Sequence, residues 1–167
     1  MARNSNIKTA APFGRLLAGW PEAKRTLNVA FLYEDASARR KANRFCERVE
    51  RLFSPRQLRG TWWKMSDLYH PGVLAGAVSQ TMRADLIVVA TRGTEGLPLP
   101  FYVWVNSWLP HYPAGTGALV GLLGASSTGP APLGRVRDYL VAVAKQARLE
   151  LLLEEREADE ESAEDGR

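Results

Sequence analysis

One cysteine and two histidines in 167 residues leave little material for metal or thiol chemistry. Cys46 stands alone, which excludes an intrachain disulfide and a zinc cluster and makes a reducing cytoplasm the natural setting. His70 and His111 each neighbour a proline, with no cysteine or clustered acid beside them, so no metal site is expected. Two such histidines without a placed serine or cysteine partner do not make a nucleophile–base–acid set, and no catalytic residue is assigned. No apolar run approaches the ~18 residues of a membrane helix. Met1 to Gly19 lacks the continuous hydrophobic segment of a secretory signal. The expectation is a soluble, cytoplasmic chain with no membrane partner.

A hydrophobic content of 46% suits one globular domain with tails. The net charge of +4 conceals an asymmetry. Residues 154–167 hold eight acids (Glu154, Glu155, Glu157, Asp159, Glu160, Glu161, Glu164, Asp165) against Arg156 and Arg167. The remainder holds 20 bases and 10 acids. A basic body with an acidic tail fits a polyanion binder whose tail competes for the same surface; a solubilising disordered tail on a solvated basic face is the simpler reading. The division expected is a flexible lead-in over 1–25, a domain over 26–153 and an acidic disordered tail over 154–167.

The stretch from Ala84 to Gly93 organises the rest. Leu86 to Ala90 are apolar without a break, as in a central parallel strand covered on both faces. Upstream, Leu27 to Tyr33 forms a first strand ending in Glu34-Asp35. Ser37 or Asp35 caps a helix to about Phe53, with Ala38, Ala42, Phe45, Val49 and Leu52 as its buried stripe. Cys46 lies beside Phe45 as a core-edge residue, not a reactive thiol. Leu58 to Met65 is a second strand whose Arg59 and Lys64 suit a sheet edge. Trp62 and Trp63 there point to opposite faces, one into the core and the other to the surface or a contact. A second helix covers Val73 to Met82, with Leu74, Ala77, Val78 and Met82 inward. A third covers about Pro100 to Leu109, with Phe101, Trp104, Val105 and Trp108 on one face. Gly117 to Gly124 is the fourth strand. A fourth helix runs to about Arg148 with Val136, Leu140, Val143, Ala144 and Ala147 inward, and Leu149 to Leu153 is the fifth strand.

Five strands alternating with four helices predict an α/β fold: a three-layer α/β/α sandwich on a five-stranded parallel sheet. Right-handed crossovers favour the flavodoxin-like order 2-1-3-4-5. Ligands of such sheets lie beyond the strand C-termini at the switch point, here between the first and third strands. Its lining comes from Tyr33 to Ser37, from Thr91 to Leu97 and from Ser126 to Pro132.

Two resemblances bear on this crevice. From Ala84-Asp85 onward, through Gly96-Leu97-Pro98, the helix ending Trp108-Leu109, and Gly124-Ala125-Ser126-Ser127-Thr128-Gly129 before Leu133 and Arg135, the chain resembles NADPH-dependent FMN reductases. That likeness implies FMN binding, with Ser37, Thr91, Arg92, Gly93, Gly96, Ser126, Ser127, Thr128 and Gly129 as the cofactor residues. The family cradles the FMN phosphate on its first loop; here Glu34-Asp35 stand there, and two carboxylates repel a dianion. The first third, Tyr33-Glu34-Asp35-Ala36-Ser37-Ala38-Arg39, is similar to response-regulator receiver domains, whose paired acids hold magnesium. Such domains also need an Asp ending the third strand and a Lys ending the fifth; Thr91-Arg92 and Leu153-Glu154-Glu155 stand there instead.

The residues themselves point to electrostatic closure. Glu34, Asp35 and Arg92 fall on adjacent strand ends, where an arginine between two carboxylates acts as a structural clamp. The functional competitor is an Arg92 available to an anionic ligand. Arg40, Arg44, Arg48 and Arg51, joined by Lys41, Arg56 and Arg59, form a ridge on the first helix. Without interleaved aromatics, and interrupted by Glu47 and Glu50, it reads as a solvated face, which argues against nucleic acid. The expected function is non-catalytic binding or regulation through the crevice or a helix face, with a protein partner or a homo-oligomer and no cofactor. An FMN-dependent oxidoreductase is second, and a polyanion binder through the first helix third.

Overall fold

The computed structural model describes residues 26–54, 56–92, 97–113, 117–124 and 131–155. The lead-in expected over 1–25 and the tail from 156 lie outside them. In chain order the elements are β1 (Thr26–Tyr33), α1 (Ala36–Phe53), β2 (Gln57–Lys64), a 3-10 segment (Met65–Tyr69) and α2 (Pro71–Met82). β3 (Leu86–Thr91), α3 (Leu99–Trp108), a 3-10 turn (Leu109–His111), β4 (Ala118–Leu123), α4 (Ala131–Ala147) and β5 (Glu150–Glu155) follow. All strand pairs are parallel and the order is β2-β1-β3-β4-β5, the flavodoxin-like arrangement.

Two cores flank the sheet. On one face Leu27, Val29 and Phe31 of β1, Leu86, Val88 and Ala90 of β3, and Ala118, Val120 and Leu122 of β4 pack with the apolar stripe of α1. On the other, Ala30, Leu32, Ile87, Val89, Leu119 and Leu123 meet residues of α2, α3 and α4. The period of two along each strand thus feeds both layers. β3 and β4 are buried at every position, which explains their unbroken apolar runs. β2 is an edge strand, exposed at Gln57, Arg59, Gly60 and Lys64.

Close approaches are made by small residues. A Cβ on Gly121 would stand 2.8 Å from side-chain atoms of both Leu140 and Leu153, so α4 sits against β4 only because that position is bare. On α3, Phe101, Trp104, Val105 and Trp108 are all buried. Trp104 Nε1 donates to Thr81 Oγ1 at 3.2 Å, and that hydroxyl donates to the Ala77 carbonyl at 2.7 Å. Arg148 takes φ 57° after α4, and Leu149 N–H returns to the Ala144 carbonyl at 2.9 Å, closing the helix directly into β5.

Several sequence expectations need correction. Leu52 does not belong to the α1 stripe: it is 56% exposed, and Phe53 is buried in its place. One residue turns a helix by 100°, enough to exchange the two sides. α2 starts at Pro71 rather than Val73, proline being at ease in a first turn. Met65 opens a 3-10 segment instead of closing β2, and buries itself with Leu68. Trp62 and Trp63 do face opposite ways, yet both are half-buried: Trp62 stacks on Phe31 at 3.9 Å, and Trp63 packs against the core under α2 to α4. β5 continues two residues past Leu153, where Glu154 and Glu155 pair with Leu122 and Leu123 of β4, and both glutamate side chains have arginine partners.

Candidate functional site at the strand tips

Parallel strands bring Tyr33, Lys64, Thr91, Leu123 and Glu155 to one edge of the sheet. β1 and β3 are neighbours there, in the register Tyr33↔Ala90, and Glu34 N–H extends the ladder to the Ala90 carbonyl at 3.0 Å. Beyond that pair the two acids have separate tasks. Glu34 Oε1 accepts from the Thr91 hydroxyl at 2.6 Å and from the Arg92 main-chain N–H at 2.9 Å. Asp35 is the N-cap of α1: extended at φ −153°, ψ −174°, it accepts from Ala38 N–H at 2.9 Å through Oδ1. Ser37, the alternative cap, lies inside the helix and half-buried.

The Arg92 guanidinium reaches Asp35 Oδ2 at 3.4 Å, with side-chain exposures of 55% and 37%. That is a solvated ion pair at the long end of hydrogen bonding, worth about 0–1 kcal/mol. Glu34 is met by the arginine's backbone and by a fully buried threonine, not by the guanidinium. So the three residues meet, and the strong contacts run through Glu34. A helix N-terminus and a strand end present amide donors, the usual seat of an anion. Here two of those donors, Ala38 N–H and Arg92 N–H, bond to the protein's own carboxylates.

Lys41 sits beneath this edge. It was expected on the outer ridge of α1, yet it is 3% exposed and lies on the buried stripe with Ala38, Ala42 and Phe45. A Cβ on Gly124 would stand 3.0 Å from Lys41 Nζ and 3.2 Å from Arg92 Cα. The ammonium therefore packs where β3 and β4 end. Positions 38, 41, 42 and 45 share one face, so helical spacing puts Lys41 on the stripe, while its charge alone points outward.

The arginine ridge keeps Arg40 and Arg51 exposed, while Arg48 Nη2 bonds Glu154 Oε1 at 2.7 Å with that glutamate side chain 6% exposed. Arg56 leaves the ridge to lie over Phe53, its Cζ 4.9 Å from the ring centre. Arg59, on the edge strand, lies outside it as well. Aromatics invisible in the α1 sequence arrive from the strands. Arg39 Cζ stacks 4.9 Å over Trp62 and 5.1 Å over Tyr33, and donates to the Tyr33 hydroxyl at 2.9 Å. Cys46 is half-buried, and burial first, then Glu50 and Glu47, push its thiol up to about 11.

Of the residues named for flavin, Thr91 is bonded to Glu34 and Arg92 is exposed at the tip. Gly93, Gly96, Ser126, Ser127, Thr128 and Gly129 lie outside the described residues. Among the described residues no group of three or more His, Cys, Asp or Glu side chains could hold a metal ion, and no helix is long and apolar enough to cross a membrane. No protein-family model matches the chain, and no significant match is found among curated proteins.

Proposed function

We propose that this chain is a non-catalytic binding domain: the strand-tip crevice is a self-neutralised frame, and a protein partner is engaged through a helix face. One observation carries the reading. The carboxylates of Glu34 and Asp35 accept from Arg92 N–H and Ala38 N–H, donors on which a cofactor phosphate would depend. Displacing them would cost the Thr91 hydroxyl its bond to Glu34 and α1 its cap. For a partner surface, Leu99 and Val103, one turn apart on α3, are exposed by 69% and 42%, and apolar side chains held outward in this way suit a protein contact.

The likeness to FMN reductases defines the test. Purified protein should be colourless, release no flavin on denaturation and keep its Tm with FMN added. Ligand at 100 times its Kd would add about 2.7 kcal/mol of stability, an easily measured rise in Tm. Yellow protein, or a clear rise with FMN, overturns the proposal in favour of a flavin-dependent oxidoreductase. The receiver-like reading gives the same crevice no phosphorylatable aspartate at the end of β3, where Thr91 and Arg92 stand.

A further inference from the structure

The two faces of the sheet are covered unequally. Buried residues of α2, α3 and α4 close one face, whereas the helical residues of the other core, Ala38, Ala42, Phe45, Val49 and Phe53, all come from α1. α1 runs over β2, β1, β3 and β4, centred between β1 and β3. A helix is about 10 Å across and strands lie about 4.8 Å apart, so one helix covers about two strands. On that spacing β5 stands about 12 Å to the side of the α1 axis, and Arg48 crosses to Glu154 with a long side chain. Yet Leu152, on this face of the edge strand β5, is only 8% exposed, and Ala118, Val120 and Leu122 beside it on β4 are fully buried. That burial is reached within a single chain.

We infer that the remaining cover is the segment from Phe13 to Trp20, laid as a helix across β4 in the groove between α1 and β5. Composition selects it. Outside the described residues, the stretches 93–96, 114–116, 125–130 and 156–167 contain no Leu, Ile, Val, Met, Phe or Trp. An α/β chain would next place a helix after β5, but the acidic stretch there has no apolar side chain larger than alanine to bury. Phe13, Leu16, Leu17 and Trp20 stand at i, i+3, i+4 and i+7, one apolar face of a helix. Length and reach agree with the placement. Eight helical residues extend about 12 Å, close to the span of β4 from Ala118 to Leu122. β1 begins at Thr26, and the six steps from Trp20 to that residue reach about 20 Å. Crossing two strand spacings and one helix diameter takes about 14 Å. On the α1 side, Phe45 and Phe53 each have a partner besides the arginines stacked on them, Arg48 and Arg56, so this stripe is occupied as well. The consequence is that the domain's interior begins near Phe13 instead of at β1. The α1 side of the sheet is then closed to outside partners, a role separate from the crevice and the α3 face.

Nuclear Overhauser contacts in the full wild-type chain test the placement without a variant. Protons of Leu16, Leu17 and Trp20 should contact those of Val120 and Leu152. Trp20→Ala should lower Tm by about 6–15 °C, as for emptying a buried aromatic site. Arg15→Ala, on the opposite side of the same turn, should leave Tm within about 2 °C. Absence of contacts from the segment to β4 and β5, contacts with α2 to α4 in their place, or a Trp20→Ala variant as stable as Arg15→Ala overturns the proposal. So do contacts seen only between isotope-labelled and unlabelled copies in a mixed sample, which would make the cover a second molecule.

Discussion

Replacing Glu34 with alanine removes an acceptor from the Thr91 hydroxyl at 2.6 Å and from Arg92 N–H at 2.9 Å, two side-chain ties between the ends of β1 and β3. Hydrogen bonds to a charged group contribute about 1.5–3 kcal/mol each where water cannot substitute. Thr91 is fully buried, whereas Arg92 is exposed and water can serve its N–H. The net loss for Glu34→Ala is therefore about 2–3 kcal/mol. At roughly 3–5 °C per kcal/mol for a domain of this size, Tm should fall by about 6–15 °C. Arg92→Ala removes only the solvated contact at 3.4 Å and should cost less than about 1 kcal/mol, diminishing further with salt. Urea denaturation of the two variants, with Thr91→Val and the Glu34→Ala/Thr91→Val double variant closing a cycle, should give a coupling of about 1–2 kcal/mol. An Arg92→Ala variant as destabilised as Glu34→Ala would refute the assignment of crevice strength to Glu34, and so would a cycle with no coupling.

The other expectations concern single positions. Asp35→Ala should cost about 1 kcal/mol by uncapping α1, and Asp35→Ser should recover most of it, both read by chemical denaturation. Gly121→Ala should destabilise by about 1–3 kcal/mol, since its methyl meets Leu140 and Leu153 at 2.8 Å; trimming Leu140 to valine in the same chain should return part of the loss. With the Cys46 thiol raised to about 11, its thiolate at pH 8 is scarcer than that of an ordinary cysteine by about two orders of magnitude. Disulfide-reagent titration of the native protein should be slower than for a free thiol by about that factor, rising about tenfold per pH unit between 8 and 10. A rate equal to that of a free thiol in the folded protein would contradict the burial.

Architecture was largely readable because its signals are periodic. The unbroken run Leu86–Ala90 and the 3.6-residue pattern of α3 and α4 mark elements whose burial leaves no other choice. Boundaries slipped where the deciding contact was distant in sequence. Glu154 of β5 pairs with Leu122 and meets Arg48, 106 residues earlier, and no local pattern shows either partner. In the crevice, adjacency of Glu34, Asp35 and Arg92 followed from strand order, but the choice of partners did not. That choice rests on which group of Arg92 meets Glu34, a matter of backbone direction after Thr91. Lys41 shows position in the helical stripe overriding charge: the residue shares the buried face although its ammonium points to the surface on chemistry alone. The stack of Arg39 on Trp62 and Tyr33 joins three elements and has no signature in any one of them.

The placement of β1 has a consequence for biogenesis. Its residues pair with β2 on one side and, through Val29↔Leu86 to Tyr33↔Ala90, with a strand almost sixty positions downstream on the other. A nascent chain that has released only β1, α1 and β2 holds a two-stranded ribbon, with the donors and acceptors on one side of β1 still awaiting partners. Such distant pairings slow folding, and they leave an unpaired apolar strand open to association in the meantime. Pairing of β1 on both sides therefore waits until β3 has cleared the ribosome, and pausing of translation before that point should raise the yield of aggregated chain.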